Sequence, residues 1–249
     1  MSIGEPTLFI ASYNTRAATE LAIRSSRRFA GCPFNLVVGD SASRDGSREM
    51  LEKLHRQGLL RLVSVPQPRR HAEWLDWFLG ECPTPVGIVI DSDIEFMKHN
   101  WLVDLVGVLV EHRAGLVGSE STAESPVFSA PNGEVIHLMP RTAAPWLMAF
   151  DTAKLRALHG SFVEVKEGED SSGLPNFYDV GGYMQKLAQD AGLPVVVMPA
   201  SYRSKYRHFV GLSWRKAPGL RGIARHYVKL LQVYARLMLS RFADYRSRP

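Results

Sequence analysis

Four short apolar runs mark the first part of the chain, and three of them close on polar residues. Residues 7–11 (TLFIA) run into Ser12-Tyr13-Asn14-Thr15, 34–39 (FNLVVG) into Asp40-Ser41, and 86–90 (VGIVI) into Asp91-Ser92-Asp93; the remaining run is 60–65. Continuous apolar runs of this length, without alternation, predict strands buried on both faces. Between them, 16–29, 48–57 and 71–79 have helical character, the first with Leu21, Ala22 and Ile23 on its apolar side. Strands alternating with helices predict an α/β fold: a mainly parallel sheet with helices on both faces. In such sheets ligands bind at the carboxyl ends of the strands, where the polar residues lie.

The second half is less regular. It predicts helices over 101–111, 152–158 and 182–191 and strands over 114–119 and 195–198. Residues 121–141 read as loops and short hairpins, and 164–176 (EVKEGEDSSGLPN) as a mobile acidic loop. A long basic helix is expected over 221–242.

With 45% hydrophobic and 22% charged residues, the 249-residue chain is an ordinary globular mix, which excludes a collagen or a wholly disordered tail. Cys32 and Cys82 alone cannot build a disulfide framework or a four-cysteine zinc site. The first residues carry no basic segment followed by an apolar one, and no run of ~18 apolar residues occurs. These features lead to an expected cytoplasmic location, peripheral to the inner face of the membrane. Charge is uneven: residues 201–249 hold twelve Lys and Arg against one acid, Asp244. The expected organisation is therefore a catalytic domain over 1–200 and a basic helical extension over 201–249.

Asp91 and Asp93 carry the clearest chemistry. Two carboxylates one residue apart at a strand end suit a hard cation, Mn²⁺ or Mg²⁺, that also engages substrate phosphates. The competing reading is a solvated turn.

The ordered set Phe9-Ile10-Ala11-Ser12-Tyr13-Asn14, Val37-Val38-Gly39-Asp40-Ser41 with Asp45-Gly46-Ser47, and Ile90-Asp91-Ser92-Asp93 resembles a GT-A nucleotide-sugar glycosyltransferase of the inverting family-2 type. A later stretch, Phe177 to Tyr183, resembles the acceptor-side segment of some members. The resemblance implies a donor pocket lined by Ala11, Ser12, Tyr13, Asn14, Ser41 and Ser92. Asp40 would accept from the base, and an ionised carboxylate is suited to that because it is acceptor-only. Asp91 would touch ribose or the metal shell and Asp93 the metal itself. It also implies a third ligand from a downstream His, for which His208 is the candidate; the competing reading is a surface His in a basic run. His71 stands where members often carry small residues, a departure at the sugar-contacting wall.

An inverting transfer needs one general base for the acceptor hydroxyl. Asp179 is favoured, since it precedes Val180-Gly181-Gly182, where backbone can approach a ligand closely. A helix N-cap is its competing reading. Glu169 and Asp170 are the other candidates, against a solvated acidic loop. Trp214 is the best placed of the tryptophans to stack on a sugar.

The reading is metal-dependent transfer of a sugar from a UDP- or GDP-type donor to a hydroxyl acceptor, lipid-linked or on a cell-surface glycan. The 221–242 helix, cationic beside a wide apolar face, suits an anionic membrane surface; docking on its own domain or a dimer partner competes. Nucleic acid is not an expected partner. Two rivals stand: a nucleotidyltransferase acting on sugar phosphates, although 12–15 lacks its Gly-rich phosphate loop, and a non-catalytic GT-A-like binding protein.

Overall fold

The computed structural model describes residues 4–120, 127–129, 133–212 and 220–246. Trp214 lies outside them. In chain order the elements are β1 (Thr7–Ser12), α1 (Arg16–Phe29), β2 (Asn35–Asp40), α2 (Ser47–Arg56), β3 (Arg61–Ser64), α3 (His71–Glu81) and β4 (Val86–Asp91). Then follow β5 (Ile94–Phe96), α4 (Trp101–Glu111), β6 (Leu116–Glu120), β7 (Val127–Ser129), β8 (Val135–Leu138), β9 (Ala143–Asp151) and α5 (Thr152–Ala157). Last come β10 (Val165–Glu169), β11 (Pro175–Tyr178), α6 (Gly182–Asp190), β12 (Val195–Val197), a 3-10 turn (Ala200–Lys205), β13 (Tyr206–His208) and α7 (Leu220–Arg246).

The large sheet has the strand order β12-β6-β9-β4-β1-β2-β3. It is mainly parallel, with β9 antiparallel to β6. The apolar runs fill it as their composition requires: Leu8, Phe9 and Ile10 in β1 and Ile88, Val89 and Ile90 in β4 are fully buried.

The chain divides into two compact units. One comprises Leu8–Arg69, Ile90–Val103 and Ser201–Pro249. In it β2 and β3 pair in parallel, with Asp40 opposite Ser64. β13 adds antiparallel to β5, placing His208 opposite Ile94. Trp101 anchors this region. Its ring stacks on Phe96 at 3.8 Å between centroids, its indole N–H donates to the Ser26 carbonyl, and its own carbonyl accepts from the Tyr202 hydroxyl. The inner side of α7 closes the unit: Val233 and Leu237 are buried with Ala17, Ala18 and Leu21 of α1 and with Phe209 and Leu212.

The other unit comprises Met1–Thr7, Arg70–Val89 and Asp104–Ala200. A four-stranded sheet of order β10-β11-β8-β7 lies within it. The acidic stretch expected as a mobile loop is instead the β10–β11 hairpin. Asp170 Oδ1 closes its turn, accepting from the Ser172 and Leu174 amides at 2.8 and 3.0 Å and from the Ser172 hydroxyl at 2.6 Å. Three donors on one oxygen make that turn, a signal that the acidic composition of the stretch concealed.

Gly87 in β4 is a packing requirement of this unit. A Cβ there would sit 2.4 Å from two ring carbons of Phe150, which is fully buried and meets Phe78 edge-on. Gly87→Ala should cost about 1–3 kcal/mol through overpacking and lower Tm by several degrees in calorimetry. An unchanged Tm would show that the Phe150 ring can give way.

Candidate active site

The carboxylates expected to hold a cation converge with the His expected to join them. Asp91 ends β4, Asp93 lies in the turn before β5, and His208 ends β13. His208 Nε2 is 3.1 Å from Asp93 Oδ1 and 3.5 Å from Asp91 Oδ2. One ligand atom from each residue lies within 4.8 Å of the other two. Backbone hydrogen bonding sets this geometry. The β13–β5 ladder continues as Phe209 N–H donates to the Asp93 carbonyl at 3.0 Å, and Leu212 N–H reaches Asp93 Oδ2 at 3.4 Å.

Burial disfavours a charged imidazole, but hydrogen bonds donated by the ring to Asp91 and Asp93, and the charges of those carboxylates, outweigh it and raise the His208 pKa from 6.5 to about 9. Two carboxylates beside one imidazole favour its charged form. Two carboxylate oxygens and an imidazole nitrogen also form a donor set of the kind that holds a divalent cation. The residues present therefore fit a divalent cation.

The expected donor residues lie in the same unit. Ser41 N–H donates to the Ser12 carbonyl at 2.9 Å, tying the end of β2 to the end of β1. Asn14 takes a left-handed backbone (φ 51°), its N–H donates to the Ser43 hydroxyl, and its side-chain oxygen accepts from Arg44 N–H. Asp40 is fully buried: Oδ2 accepts from Ser43 N–H at 3.2 Å, whereas Oδ1 has no hydrogen-bond partner among the described residues. A buried acceptor without a partner is costly, and a ligand N–H would relieve it. Tyr13, Asn14, Ala42, Arg44, Asp45 and Pro68 line a cleft of about 440 Å³ with Pro66. Ala11 is half-buried in β1.

Sequence reasoning passed over Arg44, Pro66 and Pro68. The Pro-Gln-Pro that follows the third apolar run was the available signal, since it too marks a strand's carboxyl end. It also passed over Thr19, and took Thr15 only as part of the polar loop after the first run. Their hydroxyls continue a buried chain, Ser12 to Thr19 to Thr15 to Ser92, each step 3.0 Å. This chain fixes the residue between the two aspartates from the first turns of α1.

The three candidate bases lie in the other unit, each with its own partners. Asp179 accepts from Val180 N–H at 2.7 Å and faces Arg141 at 3.3 Å. It is not the cap of α6, whose N-cap is Gly181 in a left-handed conformation (φ 73°). Asp170 lies 3.3 Å from His137, and hydrogen bonds from Ser172 and Leu174 hold its carboxyl below the usual range. Glu169 is exposed at the end of β10.

A glycosyl transferase family 2 model matches residues 7–141, which is more than half of the chain; the protein belongs to that family and has the GT-A fold. No curated protein matches it in sequence. Among solved structures, the mannosyltransferase PcManGT from Pyrobaculum calidifontis is similar at 15% identity and TM-score 0.54, over 98% of this chain and 76% of that one. S. aureus TarS 1–349 aligns at 19% identity and TM-score 0.48, over 64% of this chain and 50% of that one, so the match spans half of that protein's length. The 4-diphosphocytidyl-2C-methyl-D-erythritol synthase from Anaerococcus prevotii is similar in fold, at 10% identity and TM-score 0.51, over 91% of this chain and 98% of that one.

Proposed function

We propose that the protein transfers a sugar, with inversion, from a UDP- or GDP-type donor to a hydroxyl acceptor, and that it requires Mn²⁺ or Mg²⁺. The meeting of Asp91, Asp93 and His208 carries this reading. These three residues would hold the cation, which supplies neutralisation of the charge on the leaving diphosphate. The fold neighbour PcManGT was solved with GDP-Man and Mn²⁺, the same pairing of donor class and ion.

The protein's own groups divide the remaining work. Asp40 Oδ1 accepts a ring N–H of the base, and Tyr13 and Asn14 border the nucleotide with Ala11, Ser12, Ser41 and Ser92 behind them. Asp179 accepts the proton of the attacking hydroxyl. Glu169 and Asp170 are its alternates. A lipid-linked acceptor fits a transferase whose basic helix rests on a membrane.

Calorimetry with UDP and GDP, with and without Mn²⁺, tests the donor site; binding that ignores the cation would overturn the metal assignment. Product analysis separates the reaction classes. Sugar transfer releases a nucleoside diphosphate, and an NMR assignment of the product anomer shows inversion. Release of inorganic diphosphate from a nucleoside triphosphate, the reaction of the nucleotidyltransferase rival, is the outcome that would replace this reading. Turnover of neither kind would favour a binding protein.

A further inference from the structure

Helix α7 has two unlike sides. On the inner side its cations are engaged with the protein: Arg236 with Glu95, Arg241 with Glu20, and Lys229 with the Val210 carbonyl. Both carboxylates are buried, at 7% side-chain exposure, so the helix is seated by paired charges as well as by Val233 and Leu237. The Glu20 carboxyl, despite burial, is held below its usual range by Arg241 and Arg24.

Among the described residues, none covers the outer side. Tyr227, Val228, Leu231, Met238, Leu239 and Phe242 are 53–68% exposed, and Tyr234 is half exposed. At ~100° per residue they share one arc opposite Val233 and Leu237. Within 223–242 that arc also takes in Ala224 and Ala235, and no charged residue. A contiguous run of large apolar side chains this exposed marks an interaction surface. Tyr227 and Tyr234 border the arc on one side; Gln232 and Arg225 border it on the other. That is apolar body with amphipathic margins, the arrangement of a helix lying in a lipid interface.

Charge selects the occupant. Residues 201–249 carry twelve cations and one acid. A second copy laid on the same face would bring two such basic tails together. A leaflet with anionic headgroups attracts them. The inner side is too polar for the helix to span a bilayer, and among the described residues no helix is long and apolar enough to do so. We propose that α7 lies on a membrane surface rich in anionic lipid, its outer arc among the acyl chains and its inner side still seated on α1. This rests on the helix and not on the donor site. A further consequence follows from its position: Lys229, Val233 and Leu237 brace residues 209–212, next to His208, so the membrane-facing helix also supports the segment that carries the third ligand.

The test is co-sedimentation of the full chain with phosphatidylcholine vesicles, with and without 30% phosphatidylglycerol, at low and high salt. Expected is binding to the anionic vesicles that falls at least tenfold in high salt and at least tenfold in the double variant Leu231→Glu, Leu239→Glu. Both positions are exposed, so circular dichroism and nucleotide binding should match the wild type. Failure of the donor reading is thereby separate from failure of this one. No binding to anionic vesicles, equal binding to neutral ones, or unchanged binding by a folded double variant would overturn the proposal. Sedimentation velocity showing a dimer that the double variant dissolves, without vesicle binding, would assign the face to a second copy.

Discussion

Asp93→Asn should abolish cation-enhanced donor binding and lower kcat by about 10²–10³-fold, since charge neutralisation by a bound ion supplies several kcal/mol. The substitution keeps the volume of the side chain and an oxygen able to accept from Leu212 N–H, so the contact between the turn at Asp93 and Leu212 survives and Tm should hold within a few degrees. Calorimetry of UDP or GDP with and without Mn²⁺ reads the binding arm, and product release reads the kinetic arm. The imidazole gives a second signature. His208 keeps its proton up to about pH 9 when only the two carboxylates face it, and the cation needs that nitrogen free. Mn²⁺ affinity should therefore rise with pH from 6.5 toward 9, whereas a pair of carboxylates alone would be flat over that range. The metal-free protein follows the opposite trend. A pKa raised on folding contributes stability in full below 6.5, and that contribution is lost as pH climbs through about 9. Full activity of Asp93→Asn, or affinity independent of pH, would remove the ion from the mechanism.

The sequence disclosed what local pattern determines and missed what non-local pairing determines. The apolar runs of β1, β2 and β4 were legible because strands buried on both faces leave an unbroken signature. Asp91 and Asp93 were legible because they sit where such a run stops. His208 came into view only through family resemblance. Its place depends on β13 adding to β5, a ladder that pairs Tyr206 with Phe96 and His208 with Ile94 across more than a hundred residues of chain. The hydroxyl chain through Thr15 and Thr19 was invisible, since serines and threonines near a helix start ordinarily read as caps. In the tail, residues 221–242 read as an apolar face beside a solvated cationic one. The structure divides the apolar side chains between two faces instead. Val233 and Leu237 turn inward, and Arg236 and Arg241 turn with them because Glu95 and Glu20 are buried and require partners.

Asp179→Asn should preserve donor binding and lower kcat by about 10²–10⁴-fold, the range for losing one positioned general base. Asn retains an oxygen that can accept from Val180 N–H, so the approach to α6 should remain intact. The loss then belongs to chemistry, not to folding. A tether role predicts otherwise. If Asp179 served only to hold Arg141, the variant would lose Tm while kcat stayed near normal, and Arg141→Lys would have the same effect. Near-normal kcat would also move the role to Glu169 or Asp170, and these two can be told apart. Asp170 already takes three hydrogen bonds on one oxygen and its carboxyl is held below the usual range, which makes it the weaker proton acceptor. Asp170→Asn should open the β10–β11 turn and lower Tm. Glu169→Gln, exposed at the strand end, should leave Tm unchanged and affect kcat only if the base is there.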